Sequence, residues 1–396
     1  MAAESFLYNG SMRDVINETM LNMTNMSDIG DVSDGDSSVS KYVENVSFAL
    51  EGVAMPVVCA FGVIGNILNL AVLTHKQMLV TMENLEKSAH LGLVALAVSD
   101  LLFCLFVLIN AFKPRGKSHY TSEESLFMLY YDSYVFLPVV SLLIVCSCWL
   151  TVVMALARYF AICRPLYARA FISLRGTRIA LASVFVAAII FNLPLFFTYQ
   201  IFSYPHDNVT YYVQLTSQLR RDNERLYAAY NTVQGVVGVV VPVFVLAFCN
   251  VCLIRALRRS SRMQKQCTAN RRANNNGHRI TATLVVIIIL FVVLALPAEA
   301  LKFYQHLLPD SMSLTASKLA NTTTNLLQAC NFAVNFVLYC TLNAQFRKTV
   351  HLLLTYVCIR TRAHASNTSH VTSTPKGHHL QMTSLTGDPT ETENVL

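Results

Sequence analysis

Long apolar stretches, nearly free of charge, alternate along this chain with polar segments rich in Arg, Lys, Asn and Ser. Gly52–Thr74, Ser133–Ala157, Ile179–Pro205, Leu226–Ile254, Ile280–Ala298 and Leu319–Phe346 contain no Asp, Glu, Lys or Arg, and Ser88–Phe112 carries Asp100 as its single acid, with His90. A membrane-crossing helix takes about 20 apolar residues, because roughly 30 Å of hydrocarbon is traversed at about 1.5 Å per residue. Strands of a membrane barrel would instead alternate over about ten residues, and these runs are continuous. The pattern predicts an all-α, seven-transmembrane helix bundle over residues 50–343. Residues 344–358 follow as a short amphipathic interfacial helix, with Phe346, Val350, Leu353 and Leu354 on one side and Arg347, Lys348 and His351 largely on the other. Residues 1–49, rich in Asn, Ser, Asp and Met without helical period, and the Ser/Thr-rich residues 359–396 are expected to be disordered tails. No internal repeat is present.

Composition strengthens this reading. With 54% hydrophobic and 13% charged residues, the chain lacks the roughly 25% of charged residues that a soluble surface carries. Lipid is therefore its main solvent. Charge then sets orientation. Between spans five and six, Arg255 to Arg279 includes eight Lys or Arg and no acid, and Arg164, Arg169, Arg175 and Arg178 follow span three. Those loops belong in the cytoplasm. The first 49 residues hold eight acids against Arg13 and Lys41, which places them outside. Sequons at Asn9, Asn17, Asn22, Asn25, Asn45 and Asn208 lie on the predicted extracellular face and are expected to be glycosylated, as does Asn321; Asn367 falls on the other side. The expected location is the plasma membrane, multi-pass, with the C-terminus in the cytoplasm. No charged start with an apolar core precedes the tail, so span one is expected to act as the anchor. The eleven cysteines all fall within predicted spans or on the cytoplasmic side, which leaves no extracellular disulfide. Cys358, after the interfacial helix, is a candidate palmitoylation site.

Ordered motifs, one per span, carry a resemblance. They are Gly65-Asn66, LAVSDLL around Asp100, ARYFAICRPL from Ala157, Pro194, Pro242, FVVLALP from Phe291 to Pro297, and NFVLY from Asn335 to Tyr339. Over about residues 50 to 358 the chain resembles a rhodopsin-like (class A) G-protein-coupled receptor, and span two and the NFVLYC ending are similar to invertebrate neuropeptide receptors of the FMRFamide-receptor-like group. The resemblance implies a receptor for an extracellular ligand that activates heterotrimeric G proteins. A Ser/Thr cluster from Ser366 to Thr374, in a disordered segment next to basic residues, is expected to be phosphorylated into an arrestin-binding surface, the alternative being a solvating linker.

Asp100 stands out on physical grounds alone: a mid-span carboxylate costs several kcal/mol unless it faces the interior and is protonated, paired or bound to a cation. By resemblance, Ser147, Asn331 and Asn335 join it in a pocket for an allosteric sodium ion, a hard cation that takes oxygen ligands. The alternative is a protonated Asp that packs helices. No other cofactor is implied. Arg158 follows 25 uncharged residues and sits near the cytoplasmic membrane edge, either as a snorkelling anchor or, by resemblance, as the arginine that lines the G-protein cavity. Tyr159, Leu166 and Tyr339 match coupling positions of the same family. The acid that restrains this arginine in the family is replaced by Ala157, and Gly277 stands where span six offers a second.

Other departures follow. Ala295 and Val184 stand where the family has Trp, Asn250 where it has Tyr, Phe336 where it has Pro, and Ser133 where it has the disulfide Cys. Pro297 still supplies a kink in span six. Span seven has no Lys, which excludes a retinal Schiff base, and Val140 occupies the position of the amine-receptor Asp. A peptide, or an uncharged or acidic small molecule, remains. Val140, Gln234, Glu299, Lys302, Asn325 and Gln328 are the expected ligand-facing residues. Glu299 either pairs with a cationic ligand group, such as the Arg of an RF-amide peptide, or pairs with Lys302 at i+3. A chemosensory receptor on the same fold is the alternative function. A secondary transporter is disfavoured, because no paired halves appear. The chain has no HExxH, GxSxG or GxxxxGK, so nothing points to an enzyme, and membrane topology accounts for the basic loop without nucleic acid.

Overall fold

The computed structural model describes residues 34–75, 84–111, 123–206, 209–266, 286, 289–342, 346–353 and 355. It divides into two units, Met1–Thr349 and Val350–Leu396. In the second, residues 350–353 are helical and Thr355 Oγ1 donates to the His351 carbonyl at 2.8 Å.

The first unit is a helix bundle. Among the described residues five helices are long and apolar enough to cross a membrane: Ser38–Leu73, Lys87–Asn110, Leu126–Cys163, Leu174–Phe197 and Glu224–Ala256. They carry predicted spans one to five. Span six is described chiefly in its predicted extracellular part, with helix Leu296–Leu307. Span seven is Leu314–Ala333 followed by Asn335–Leu342, and its Asn, Thr and Gln content makes it the most polar of the set. The bundle turns apolar side chains outward, as lipid allows: Phe61, Ile64, Ile190 and Phe244 are exposed, while Asn66, Asn69 and Asp100 are buried.

Close packing of spans one, two and seven rests on small residues. A Cβ on Gly62 would stand 2.6 Å from Cys104 Sγ, so only Gly admits span two at this distance. Asn66 Nδ2 donates to the Phe332 carbonyl at 3.0 Å and Asn69 Nδ2 to Asn66 Oδ1 at 3.2 Å. Phe103 and Phe332 stack with centroids 3.7 Å apart. Wide π-helical turns interrupt spans one, three and five at Ala49–Ala54, Tyr131–Phe136 and Val236–Val240, all on the predicted extracellular side. Span six is interrupted at Ala295, two residues before Pro297. That is the expected kink, since proline lacks an N–H and its ring clashes with the carbonyl four residues back.

Two expectations need correction. Span four was read to Pro205, but its helix ends at Asn192, a 3-10 turn covers Leu193–Phe197, and the chain then forms an antiparallel hairpin of β1 (Tyr199–His206) and β2 (Val209–Thr216). Among the described residues the bundle is otherwise helical. Second, residues 34–48 of the expected disordered tail form a helix, Asp34–Phe48, that runs into span one, contacts span seven and buries Val43 and Ser47. Continuation of a hydrogen-bonded helix removes the nucleation cost that an isolated polar segment would bear. The hairpin is closed at its base without a disulfide. Ser217 N donates to the Thr198 carbonyl at 3.0 Å, and Ser217 Oγ donates to the Phe197 carbonyl. The nine described cysteines are all free. Ser133, where the family has cysteine, donates instead to the Leu129 carbonyl at 2.8 Å.

Candidate functional site

Two adjoining cavities open between the spans on the hairpin side. The smaller, ≈ 350 Å³, is lined by spans three, five, six and seven together with Thr198, Tyr199 and Arg220 beside the hairpin. The larger, ≈ 860 Å³, lies among spans one, two, three and seven and the helix Asp34–Phe48. Leu137, Ile144, Lys302 and Gln328 line both. The structure brings the six expected ligand-facing residues to these two spaces: Gln234 and Glu299 to the smaller, Val140 and Asn325 to the larger, Lys302 and Gln328 to both.

Polar groups at this junction hold one another. Lys302 Nζ donates to Glu299 Oε1 at 2.8 Å, and Gln328 Nε2 donates to the same oxygen at 2.9 Å. Of the two readings of Glu299, the pair with Lys302 is the one present. A second chain runs from Gln234 Nε2 to Ser141 Oγ at 3.4 Å and on to Asn192 Oδ1 at 2.9 Å, linking spans five, three and four. Val140 also packs against the buried cluster around Phe103 and Phe332. Gly235 meets span six so closely that a Cβ there would stand 2.0 Å from Phe303 Cδ2.

Below the cavities Asp100 is fully buried, and Asn335 Nδ2 donates to its Oδ2. The Ser147 hydroxyl is also within hydrogen-bonding reach of the carboxyl, and Asn331 is buried one turn before Asn335. Asp100 Oδ1 has no hydrogen-bond partner among the described residues. An orphaned carboxylate oxygen beside a hydroxyl and an amide fits a small hard cation, with Asp100 and Ser147 as holders.

Toward the predicted cytoplasmic end Arg158 is buried, and Tyr159 packs its ring against Phe160 and Phe248 with centroids 5.4 Å away in each case. Tyr339 is buried against Phe346, centroids 5.5 Å apart. Phe336, in place of the family's proline, also meets Phe346 at 6.1 Å. Leu166 lies in helix Pro165–Phe171 and is 82% exposed, an apolar side chain presented outward. Ala295, in place of the family's Trp, is buried in a cluster with Phe291, Cys148 and Leu246, against which Trp149 packs. Gly277, Asn9, Asn17, Asn22, Asn25, Asn208, Cys358 and the tail cluster from Ser366 to Thr374 lie outside the described residues. Asn45 is exposed on helix Asp34–Phe48 and lines the larger cavity. Sequence reasoning missed Arg220, Tyr227 and His306 in the cavity wall. The first lies in a five-residue helix, Gln218–Asp222, too short to show a period, and the other two sit on helices whose rotation only packing fixes.

Two cavities among the spans and a fully buried carboxylate, Asp100, within a largely apolar bundle make up the candidate site. The family model described as 7 transmembrane receptor (rhodopsin family) matches residues 65–339, and the chain belongs to that family. It is 24% identical to the sex peptide receptor-related protein 2 of Caenorhabditis elegans, over 78% of this chain and 72% of that protein. It is 25% identical to the FMRFamide peptide receptor frpr-18 of the same nematode, over 84% of this chain and 75% of the relative. Identity to the FMRFamide receptor of Drosophila melanogaster is 24%, over 78% of this chain and 54% of that one.

Proposed function

We propose that this chain is a plasma-membrane receptor, N-terminus outside and C-terminus in the cytoplasm, that is activated by an extracellular peptide and signals through heterotrimeric G proteins. The observation that carries this reading is the convergence of the six ligand-facing residues on two cavities of ≈ 350 and ≈ 860 Å³ that have Leu137, Ile144, Lys302 and Gln328 in common. Each falls within the range of about 300–1,000 Å³ typical of ligand pockets. Val140 offers a monoamine no counter-ion. The names of the relatives support the same ligand class.

On the cytoplasmic side, exposed Leu166, buried Arg158 and Tyr339, and half-buried Tyr159 are proposed to engage the G protein, with arrestin recruited by the phosphorylated tail. Asp100, Ser147, Asn331 and Asn335 are proposed to hold an allosteric sodium ion. Applying a panel of neuropeptides to cells that express the chain, with calcium and cAMP readouts, tests the reading. A response to one peptide family below micromolar concentration supports it. Activation by water-soluble odorants alone, with silence toward peptides, overturns it in favour of a chemosensory receptor.

A further inference from the structure

The smaller cavity carries a charge that its lining does not balance. Its lining residues include one carboxylate, Glu299, and that group is engaged by Lys302 at 2.8 Å and Gln328 at 2.9 Å. Arg220 is the other permanently charged residue of the wall. It sits in the short helix Gln218–Asp222 directly after β2, with its guanidinium carbon 6.0 Å from the centre of the Tyr199 ring. Its backbone is fixed there, since Arg220 N donates to Ser217 Oγ at 3.2 Å, and Ser217 is in turn tied to the base of the hairpin.

A guanidinium stacked on a ring keeps a planar fork of N–H donors that matches a carboxylate or sulfate in two parallel hydrogen bonds. Low-dielectric walls concentrate its field within a cleft. His306, held by Thr232 Oγ1 at 3.1 Å, adds no negative charge to the same wall. The larger cavity differs, because Glu44 and Glu51 line it together with Lys302 and Lys318, two acids against two cations.

We propose that the smaller cavity takes an anionic group of the ligand against Arg220, so that the peptide recognised carries an acidic group. This inference rests on the reading of the cavity as the ligand site, and it narrows the class of ligand. Glu299, engaged within the wall, does not select for a cation.

The test needs no known agonist. Asn231 lines the smaller cavity and Asn325 the larger. Asn231→Cys and Asn325→Cys receptors on intact cells are treated with two membrane-impermeant methanethiosulfonates, one bearing a sulfonate and one a quaternary ammonium. The thiolate forms a mixed disulfide and expels methanesulfinate, and the parent chain gives the background. The expected result is a higher ratio of anionic to cationic labelling rates at Asn231→Cys than at Asn325→Cys. Neutral Arg220→Gln or Arg220→Met should lower that ratio at least about two-fold, because one wall charge acts with opposite sign on the two reagents, while Arg220→Lys preserves it. A ratio at Asn231→Cys that does not respond to neutralisation overturns the anion site and leaves the cavity reading intact. If neither reagent labels Asn231→Cys, the cavity is closed to the outside and the peptide reading itself fails.

Discussion

Gly235 offers the sharpest test of how spans five and six meet. A Cβ added there would stand 2.0, 2.4 and 2.8 Å from Cδ2, Cε2 and Cγ of Phe303. Carbon atoms in contact prefer about 3.5–4.0 Å, so Gly235→Ala requires a shift of about 1.5 Å or more from the ring or from one of the two helices. Such overpacking costs about 1–3 kcal/mol. At about 2–4 °C per kcal/mol for a domain of comparable size, apparent Tm should fall by several degrees. The assay is a thermal-inactivation curve of receptor solubilised from cells, with surface expression measured in parallel. Phe303→Leu shortens the offending ring. The double variant should therefore be less destabilised than the sum of the two single ones by about 1 kcal/mol or more, the size of coupling seen between residues in contact. A Gly235→Ala receptor as stable as the parent, or strict additivity in the cycle, would refute this close approach.

Asp100→Asn should abolish any weakening of agonist binding by sodium while the receptor still reaches the surface; linkage requires that weakening if the ion favours the inactive state. Equal agonist affinity in sodium and in a bulky organic cation at constant ionic strength would count against the sodium site. Leu166→Asp, at an 82% exposed position, should leave thermal stability within about 0.5 kcal/mol of the parent yet cut nucleotide exchange on G protein at least ten-fold, and intact exchange would remove Leu166 from the coupling face. Truncation after Cys358 should slow agonist-driven internalisation and spare G-protein signalling; normal internalisation would speak against the arrestin role of the tail.

Much of the fold was legible because lipid imposes a simple rule: every spanning segment must satisfy its own backbone hydrogen bonds and present apolar side chains outward. Asp100 was legible for the complementary reason, since a carboxylate amid such a run has to face the interior. The rule fails where the chain leaves the membrane. Tyr199 to His206 is free of acids and permanent cations, so it reads as a continuation of span four, yet its backbone groups pair with β2 rather than with the preceding helical turn. Helix Asp34–Phe48 was illegible for the opposite reason. Its sequence is polar, and its support comes from span one behind it and span seven beside it. Glu299 could be narrowed to two readings, and spacing could not show that Gln328 from span seven joins Lys302 on the same carboxylate oxygen. Arg220 gave no signal at all, because its place in the cavity follows from the closure of the hairpin.

Gly238 provides the most direct measurement of the central claim, that a peptide acts from the smaller cavity. It lines that cavity within the wide turn Val236–Val240, and a Cβ there would meet no atom within 4 Å. Gly238→Leu should therefore fill ligand space without overpacking the bundle. The peptide panel applied to the parent and to Gly238→Leu, at matched surface expression, should give a sub-micromolar response in the parent and at least a ten-fold loss of potency in the variant. A peptide response of unchanged potency in Gly238→Leu would contradict the account and place the ligand elsewhere.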